Sequence, residues 1–483
     1  MAPIIFATTT TAMPRLPVEL LARIFIQCLP DEPYIKPHAD SPPLLFTTVC
    51  RQWREIALGT TELWCSLGAV QECWGLPPMS KARLEGYSAW LSRSGNRPLT
   101  LAAPFEWAMT RMWSPRWVRL LLSYRVRFER LKVVAERAVD LNELLDGANM
   151  LRLLEVHSQL LEGSEDLAIT NPLPCLRTLL LDGCNASAAT LSNAAWGNLT
   201  RLAIRAPADN RYLVEEFLDL VSRCPSLQHL ALGPFVPKRD WPAGLQQLPP
   251  PPPPPPSHHP NLRSITVVLI DHPVFEPAVL ILPALRYFRV LYEFGRDWGE
   301  ILTQDVEGST HLSPPQRFFQ MDVRRKEDFY LFDVGWSNIT HLQVRFLGDI
   351  DTFPTVVELC PNLQVLVMTG HRCSDRSTSF PTPLTYPSLQ ELSIAVAAPL
   401  GNILEMVTLP GLQSLTLEAG DCGEHGVVRD MLLRSRCALE KLDVWVTGLQ
   451  SGGPRVYWTA EEKEELLESI PTLTELELIP CAY

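Results

Sequence analysis

The chain has 483 residues, 46% of them hydrophobic, with 54 acidic and 42 basic side chains and a net charge of −12. Such a length and apolar content support a large core, organised as more than one domain or as one long array. The acidic balance speaks against general binding to nucleic acid or to anionic membranes, both of which call for a basic surface.

The twelve cysteines include no Cys-x-x-Cys pair, Met1 to Pro14 hold no basic segment or long apolar run, and no stretch approaches the roughly 18 apolar residues of a membrane span. The expectation is a cytoplasmic or nuclear protein with reduced thiols. The Asn-x-Thr matches at Asn198 and Asn338 enclose Leu199 and Ile339, which belong to a repeated phrase described below, so they read as accidents of that repeat.

Residues 1–13 are Thr-rich and read as disordered. Leu16-Pro17 then opens a segment in which Leu20, Leu21, Ile24 and Phe25 form an apolar stripe at helical spacing. A Pro-rich gap runs from Pro30 to Pro43. A second helical stretch follows, with Leu45, Val49, Trp53 and Ile56 on one face, and Leu63-Trp64 closes the block. By spacing alone this block reads as a helical cap on whatever follows.

The ordered set Leu16-Pro17, Leu20-Leu21, Ile24-Phe25, Val49-Cys50-Arg51-Gln52-Trp53 and Leu63-Trp64 resembles an F-box, here spanning 14–66. It is most similar to the large fungal set, although the 30–43 loop is longer than the family's. The resemblance implies a small all-α unit that docks on the Skp-type adaptor of cullin-based ubiquitin ligases. It implies that Leu16, Pro17, Leu20, Ile24, Phe25, Val49, Cys50 and Trp53 form or support the adaptor face.

Residues 67–119 connect this block to the rest. Leu84, Tyr87, Trp90 and Leu91 predict a helix that ends near Ser94-Gly95-Asn96, and Leu99 to Leu101 predict a short strand opening an irregular repeat. Trp107, Trp113 and Trp117 read as core aromatics, with a ligand shelf as the alternative.

From 120 to 483 one phrase returns, Pro-x-Leu-x-x-Leu-x-Leu, clearest in Cys360 to Met368. Anchored on its first apolar residue, it recurs at Phe128, Leu151, Leu176, Leu199, Leu227, Leu262, Leu285, Ile339, Leu363, Leu389, Leu412, Leu439 and Leu473. Most steps are 23 to 35 residues, and one, Leu285 to Ile339, is 54. A period of roughly 20–30 residues is the signature of a solenoid, because one strand and one helix cannot bury their apolar faces alone. Helical spacing lies between copies at Tyr212–Val221, Val427–Leu433 and after Thr459, which opens a capping box with Glu462. The repeat resembles a leucine-rich repeat that lacks the family's usual Asn. That resemblance implies an α/β horseshoe, with parallel strands on the concave face and helices on the convex face.

Two insertions interrupt the array, near 234–260 and 292–335. The first holds Pro249 to Pro256, an unbroken run that adopts polyproline II. It reads either as a docking site for an SH3, WW or profilin-like partner or as a low-complexity rim loop. The second carries Phe318 to Val323, whose pattern allows a strand of a degenerate repeat. Arg324-Arg325-Lys326 reads as a solvated turn.

Chemistry is sparse. No phosphate loop, nucleophile elbow or zinc motif occurs, Asp421-Cys422-Gly423-Glu424-His425 reads as an ordinary loop, and His258-His259 is too short for a metal site. The reading is a non-enzymatic substrate receptor without cofactor or metal, whose F-box holds the adaptor and whose repeats hold a protein target. The alternative is a repeat scaffold that assembles proteins without ubiquitin transfer. Counting alternate positions from each anchor assigns Arg201, Arg205, Tyr287, Arg289, His341, Arg345, Lys441, Asp443 and Trp445 to the exposed concave face, with Glu475 and Glu477 at its end. Arginines and aromatics there suit an acidic or phosphorylated target segment, with solvated strand residues as the bland reading.

Overall fold

The computed structural model describes residues 16–69, 81–103, 115–134, 138–157, 169–183, 196–205, 221–235, 257–269, 278–282, 284–292, 318–323, 332–333, 336–346, 353–370, 384–396, 404–405, 407–419, 425–446 and 458–480. The chain divides into two compact units, Met1–Ala195 and Trp196–Tyr483. Pro249 to Pro256, Tyr212 to Leu220, Trp107, Trp113, Arg324 to Lys326 and Asp421 to Glu424 lie outside the described residues.

The first unit opens with helices α1 (Val18–Gln27), α2 (Phe46–Val49) and α3 (Arg51–Gly59), then a 3₁₀ turn at Thr61–Trp64. Pro17 stands just before α1, where a missing N–H costs nothing. Cys50 caps α3, its sulfur accepting the Trp53 N–H at 3.4 Å. The helices close on aromatic rings. Phe25 stacks on Phe46 at 4.3 Å, and the Trp53 ring lies 4.9 Å from Phe25. Trp64 is fully buried and donates its indole N–H to the Ala57 carbonyl at 2.8 Å.

Five parallel strands follow in sequence order: β1 (Ser66–Gly68), β2 (Leu99–Ala103), β3 (Phe128–Val134), β4 (Leu153–His157) and β5 (Thr178–Asp182). Helix α4 (Lys81–Arg93) buries Tyr87, Trp90 and Leu91 and ends at Gly95, whose φ of +59° is the left-handed turn a glycine accepts. Trp117 packs at 5.4 Å on Tyr87 and is buried, as the core reading expects. The strand at Leu99 is where the sequence places it. β1 before it was not foreseen, because three residues carry too little pattern.

The long 30–43 loop has a structural role here. Its Pro33–Ile35 stretch runs along β1, the edge of this sheet: Gly68 N–H donates to the Ile35 carbonyl at 2.7 Å, Ile35 N–H to Ser66 Oγ at 3.0 Å, and Ser66 Oγ to the Pro33 carbonyl at 2.7 Å. Covering an edge blocks unwanted strand pairing. The approach is so close that a Cβ on Gly68 would sit 2.9 Å from the Tyr34 carbonyl oxygen.

In the second unit eleven described strands form one parallel sheet. They are Arg201–Arg205, His229–Phe235, Ser264–Leu269, Tyr287–Tyr292, Phe318–Val323, His341–Phe346, Val365–Gly370, Glu391–Val396, Ser414–Ala419, Lys441–Val446 and Glu475–Pro480. The 54-residue step hides the strand at Phe318, as its pattern allowed. Each foreseen strand of this sheet begins two residues after its anchor, and every anchor from Phe128 to Leu473 is buried. The register aligns apolar rungs across the sheet. Leu342, Leu366, Leu392, Leu415, Leu442 and Leu476 form one row, and Val344, Met368, Ile394, Leu417, Val444 and Leu478 another. Leu342, Leu366, Leu392, Leu415 and Leu442 of the first row and Val344, Met368, Ile394, Leu417 and Val444 of the second are buried core, and stacking copies removes them from water.

The position between Pro and Leu in the phrase has its own task. Ser226 donates to the Gly197 carbonyl at 2.6 Å, Asn261 to Pro225 at 2.9 Å, Asn362 to Ser337 at 2.7 Å and Ser388 to Pro361 at 2.7 Å. Each bond ties a copy to the preceding one. At Gly411 the approach is closer still, and a Cβ would collide with the Pro387 carbonyl oxygen. The helices expected at Val427 and after Thr459 are present as His425–Ser435 and Ala460–Ser469, the latter with both bonds of its capping box.

Candidate functional site

Three surfaces carry chemistry. The first lies on the N-terminal helices. Leu21 and Phe25 face the interior of α1's surroundings, so the other side of the helix is left outward: Leu20 is 47% exposed and Ile24 44%, four residues apart on one face. Leu16, Val18, Leu45 and Val49 are exposed too, Val49 at 53%. Six of the eleven large apolar side chains that are exposed among the described residues thus fall between residues 16 and 49. Isolated exposed apolar residues are ordinary, but a concentration of them marks a contact surface.

Of the residues assigned to this face, Leu16, Pro17, Leu20, Ile24, Val49 and Cys50 are exposed. Phe25 is 1% exposed and belongs to the ring stack; Trp53 is half-buried within the same stack. These two hold the helices in place beneath the face.

The second surface is the polar face of the first unit's sheet, and no sequence signal pointed to it. Register brings Lys132 beside Glu155 and His157 beside Asp182. Lys132 Nζ lies 3.2 Å from Glu155 Oε2, and His157 Nδ1 lies 3.0 Å from Asp182 Oδ2. Tyr34, carried in by the edge-covering loop, donates its hydroxyl to Glu155 Oε1 at 3.1 Å. Burial and then the Glu155 charge push the Tyr34 phenol up. Burial alone would raise Glu155, but His157, Lys132 and Tyr34 bonds outweigh it and hold the carboxyl below its usual range. Burial alone would lower His157, yet its bonds to Asp182 and Glu155 raise it. Through the Tyr34–Glu155 bond the network ties the 30–43 loop to the sheet.

The third surface is the polar face of the second unit's sheet. Arg201, Arg205, His341, Arg345, Lys441 and Trp445 lie on it and are half-buried, as the alternation requires. Tyr287, Arg289 and Asp443 depart from the expected exposure. Tyr287 is buried, Arg289 is 5% exposed and Asp443 8%. For the first two the neighbours explain the difference, since Ser264, Thr266 and Asp322 on the same face are buried with them. Alternation fixes which side a residue points to; it does not fix what lies above that side. Asp443 is paired with Lys441, whose Nζ lies 3.2 Å from its Oδ2. Burial on this face is not confined to the middle, since Ala203 and Ala231 at its first end and Asp443 at its last are buried too, while Glu391, Glu418, Glu475 and Glu477 stay exposed. At the first end His229 is pushed down to about 4 by burial and then by Arg201 and Arg263.

The remaining chemical candidates are structural. His259 is buried, with Nε2 2.9 Å from the Cys224 carbonyl. His425 is buried against Trp458, ring centres 5.0 Å apart. Burial pushes the Cys224 and Cys360 thiols up to about 12. Among the described residues no three His, Cys, Asp or Glu side chains converge on a metal position, and no helix is long and apolar enough to cross a membrane. No family model matches the chain, and no curated protein matches its sequence.

Proposed function

We propose that this chain is the target-recognition subunit of a cullin-based ubiquitin ligase, with an F-box in its N-terminal helices and degenerate leucine-rich repeats in its parallel sheet. The outward apolar face of α1 and α2 carries this reading. Leu16, Leu20, Ile24 and Val49 are four of the eight residues that the F-box resemblance assigns to the Skp-type adaptor, and they remain in solvent, whereas Phe25, another of the eight, is buried with Leu21 in the fold. The adaptor would bind there, and a protein target would bind the polar face of the repeats. The mechanism is proximity: holding the target near a ubiquitin-loaded enzyme raises the effective concentration of its lysines.

The test is Leu20→Ser with Ile24→Ser and Val49→Ser, three exposed positions whose change leaves the core intact. Adaptor capture is expected to fall to background while the melting temperature stays unchanged. Full capture by the folded triple variant overturns the reading. A repeat scaffold without ubiquitin transfer is separated by the cullin: it co-purifies with the ligase subunit and not with a scaffold.

A further inference from the structure

The end of the second unit's polar face has a composition unlike its middle. Register places Glu391, Ser414, Lys441 and Glu475 in one row, Ser393, Thr416, Asp443 and Glu477 in the next, and Ala395, Glu418 and Trp445 in a third. Rows lie about 6.6 Å apart along the strands and neighbours in a row about 4.8 Å apart. Ser393, Ala395, Ser414 and Thr416 are short, so the floor is low. Glu391, Glu418, Glu475 and Glu477 are exposed around it.

Among the described residues of these rows five carboxylates thus accompany one ammonium group, and that group is already engaged. Lys441 Nζ is 3.2 Å from Asp443 Oδ2 and 4.0 Å from Glu475 Oε2. Asp443 is 8% exposed, and its other oxygen, Oδ1, is buried without a hydrogen-bond partner among the described residues. A buried carboxylate oxygen is costly until it accepts a bond. Glu418 stands directly across from Trp445, so a cation over the indole would have a carboxylate at its side. A planar guanidinium suits both demands, since it stacks on an aromatic face and donates in a fork.

We propose that this floor binds an arginine side chain carried by an extended basic segment of a protein target, with Asp443, Glu418 and Trp445 as its contacts. The inference rests on the reading of the polar face as a target site, and it gives that site a polarity. Its first end carries Arg201 and Arg205, and its last end takes positive charge.

A random octapeptide display library panned on the full chain tests it. Arginine-bearing peptides are expected to be enriched. The most enriched peptide should lose about tenfold in affinity when its arginine is replaced by neutral citrulline, or when the chain carries Asp443→Asn. Lys441→Met removes the internal competitor and should tighten binding. Glu418→Gln with Glu477→Gln changes only exposed residues, so it reports on the site even where the Asp443 variant fails to fold. Absence of arginine enrichment overturns the proposal, as does equal binding of the citrulline peptide or by the Glu418 and Glu477 variant. Adaptor capture by the same chain is measured separately, so a failed peptide site is distinguished from a failed ligase assignment.

Discussion

Helix α1 and the helix His425–Ser435 both carry apolar residues at helical spacing, and they use them differently. In His425–Ser435, Val428, Met431 and Leu432 are buried, and one residue, Leu433, is left outside. In α1, Leu21 and Phe25 are buried, and Val18, Leu20 and Ile24 all stay in solvent with Leu16 just before them. A stripe on the repeat helix completes a core. The second stripe on α1 is about half in solvent, and under the proposed function it is the surface that the adaptor would cover.

Truncation at three sites probes this difference most strongly. Phe25→Ala removes a ring stacked on Phe46 and beside Trp53 and should cost about 3–5 kcal/mol, and Met431→Ala about 2–5 kcal/mol. Ile24→Ala, one residue from Phe25, should change stability by less than about 0.5 kcal/mol while weakening adaptor capture. Denaturant midpoints measure all three. A loss at Ile24 equal to that at Phe25 would show that both sides of α1 are core, and the comparison would collapse.

The sequence made the repeat legible because its signal is local and repeated. Each anchor is buried, and strand parity follows from it. The same parity placed Arg201, Arg205, His341, Arg345 and Trp445 on the polar face. It failed for Tyr287 and Arg289, because cover is a property of distant parts of the chain. The bond from Tyr34 to Glu155 joins residues 121 positions apart, and no spacing rule reaches that far. The role of the Ser or Asn before Leu227, Leu262, Leu363 and Leu389 appears only when the preceding copy's carbonyl is in view. The Pro-rich loop read as an excess over the family pattern, and in the fold it covers the first edge strand and delivers Tyr34.

That loop supplies a test of intermediate size. Tyr34→Phe removes one donor to a carboxylate that keeps Lys132 and His157, so the first unit should lose about 1–2 kcal/mol. The outward face of α1 is untouched, and adaptor affinity should hold. This sharpens the comparison by separating the clamp behind the helices from the surface in front of them. The urea midpoint and adaptor capture are read on the same sample. Parallel loss of both would show that the clamp also sets the geometry of the face.

The smallest effect is a pH dependence of opposite sign in the two units. His157 is raised by Asp182 and Glu155 against the lowering effect of burial, so the folded chain holds its proton more tightly than the unfolded chain, whose histidine titrates near about 6.5. Its contribution is fully present below about 6.5 and is lost as pH rises through the folded value. His229 is the reverse. Burial, Arg201 and Arg263 push it down to about 4, so between about 4 and 6.5 the unfolded chain binds the proton better. Its contribution is full above about 6.5 and falls away as pH drops toward 4. Both rings are partly solvated, so each effect should be about 1 kcal/mol or less. His157→Gln should therefore destabilise the chain more at pH 5.5 than at pH 8, and His229→Gln should relieve the loss seen at pH 4.5. Melting temperatures of both variants across pH 4.5 to 8 decide the matter. Equal destabilisation by His157→Gln at both ends of that range would mean that the ring acts by packing alone and that its charge plays no part in the clamp.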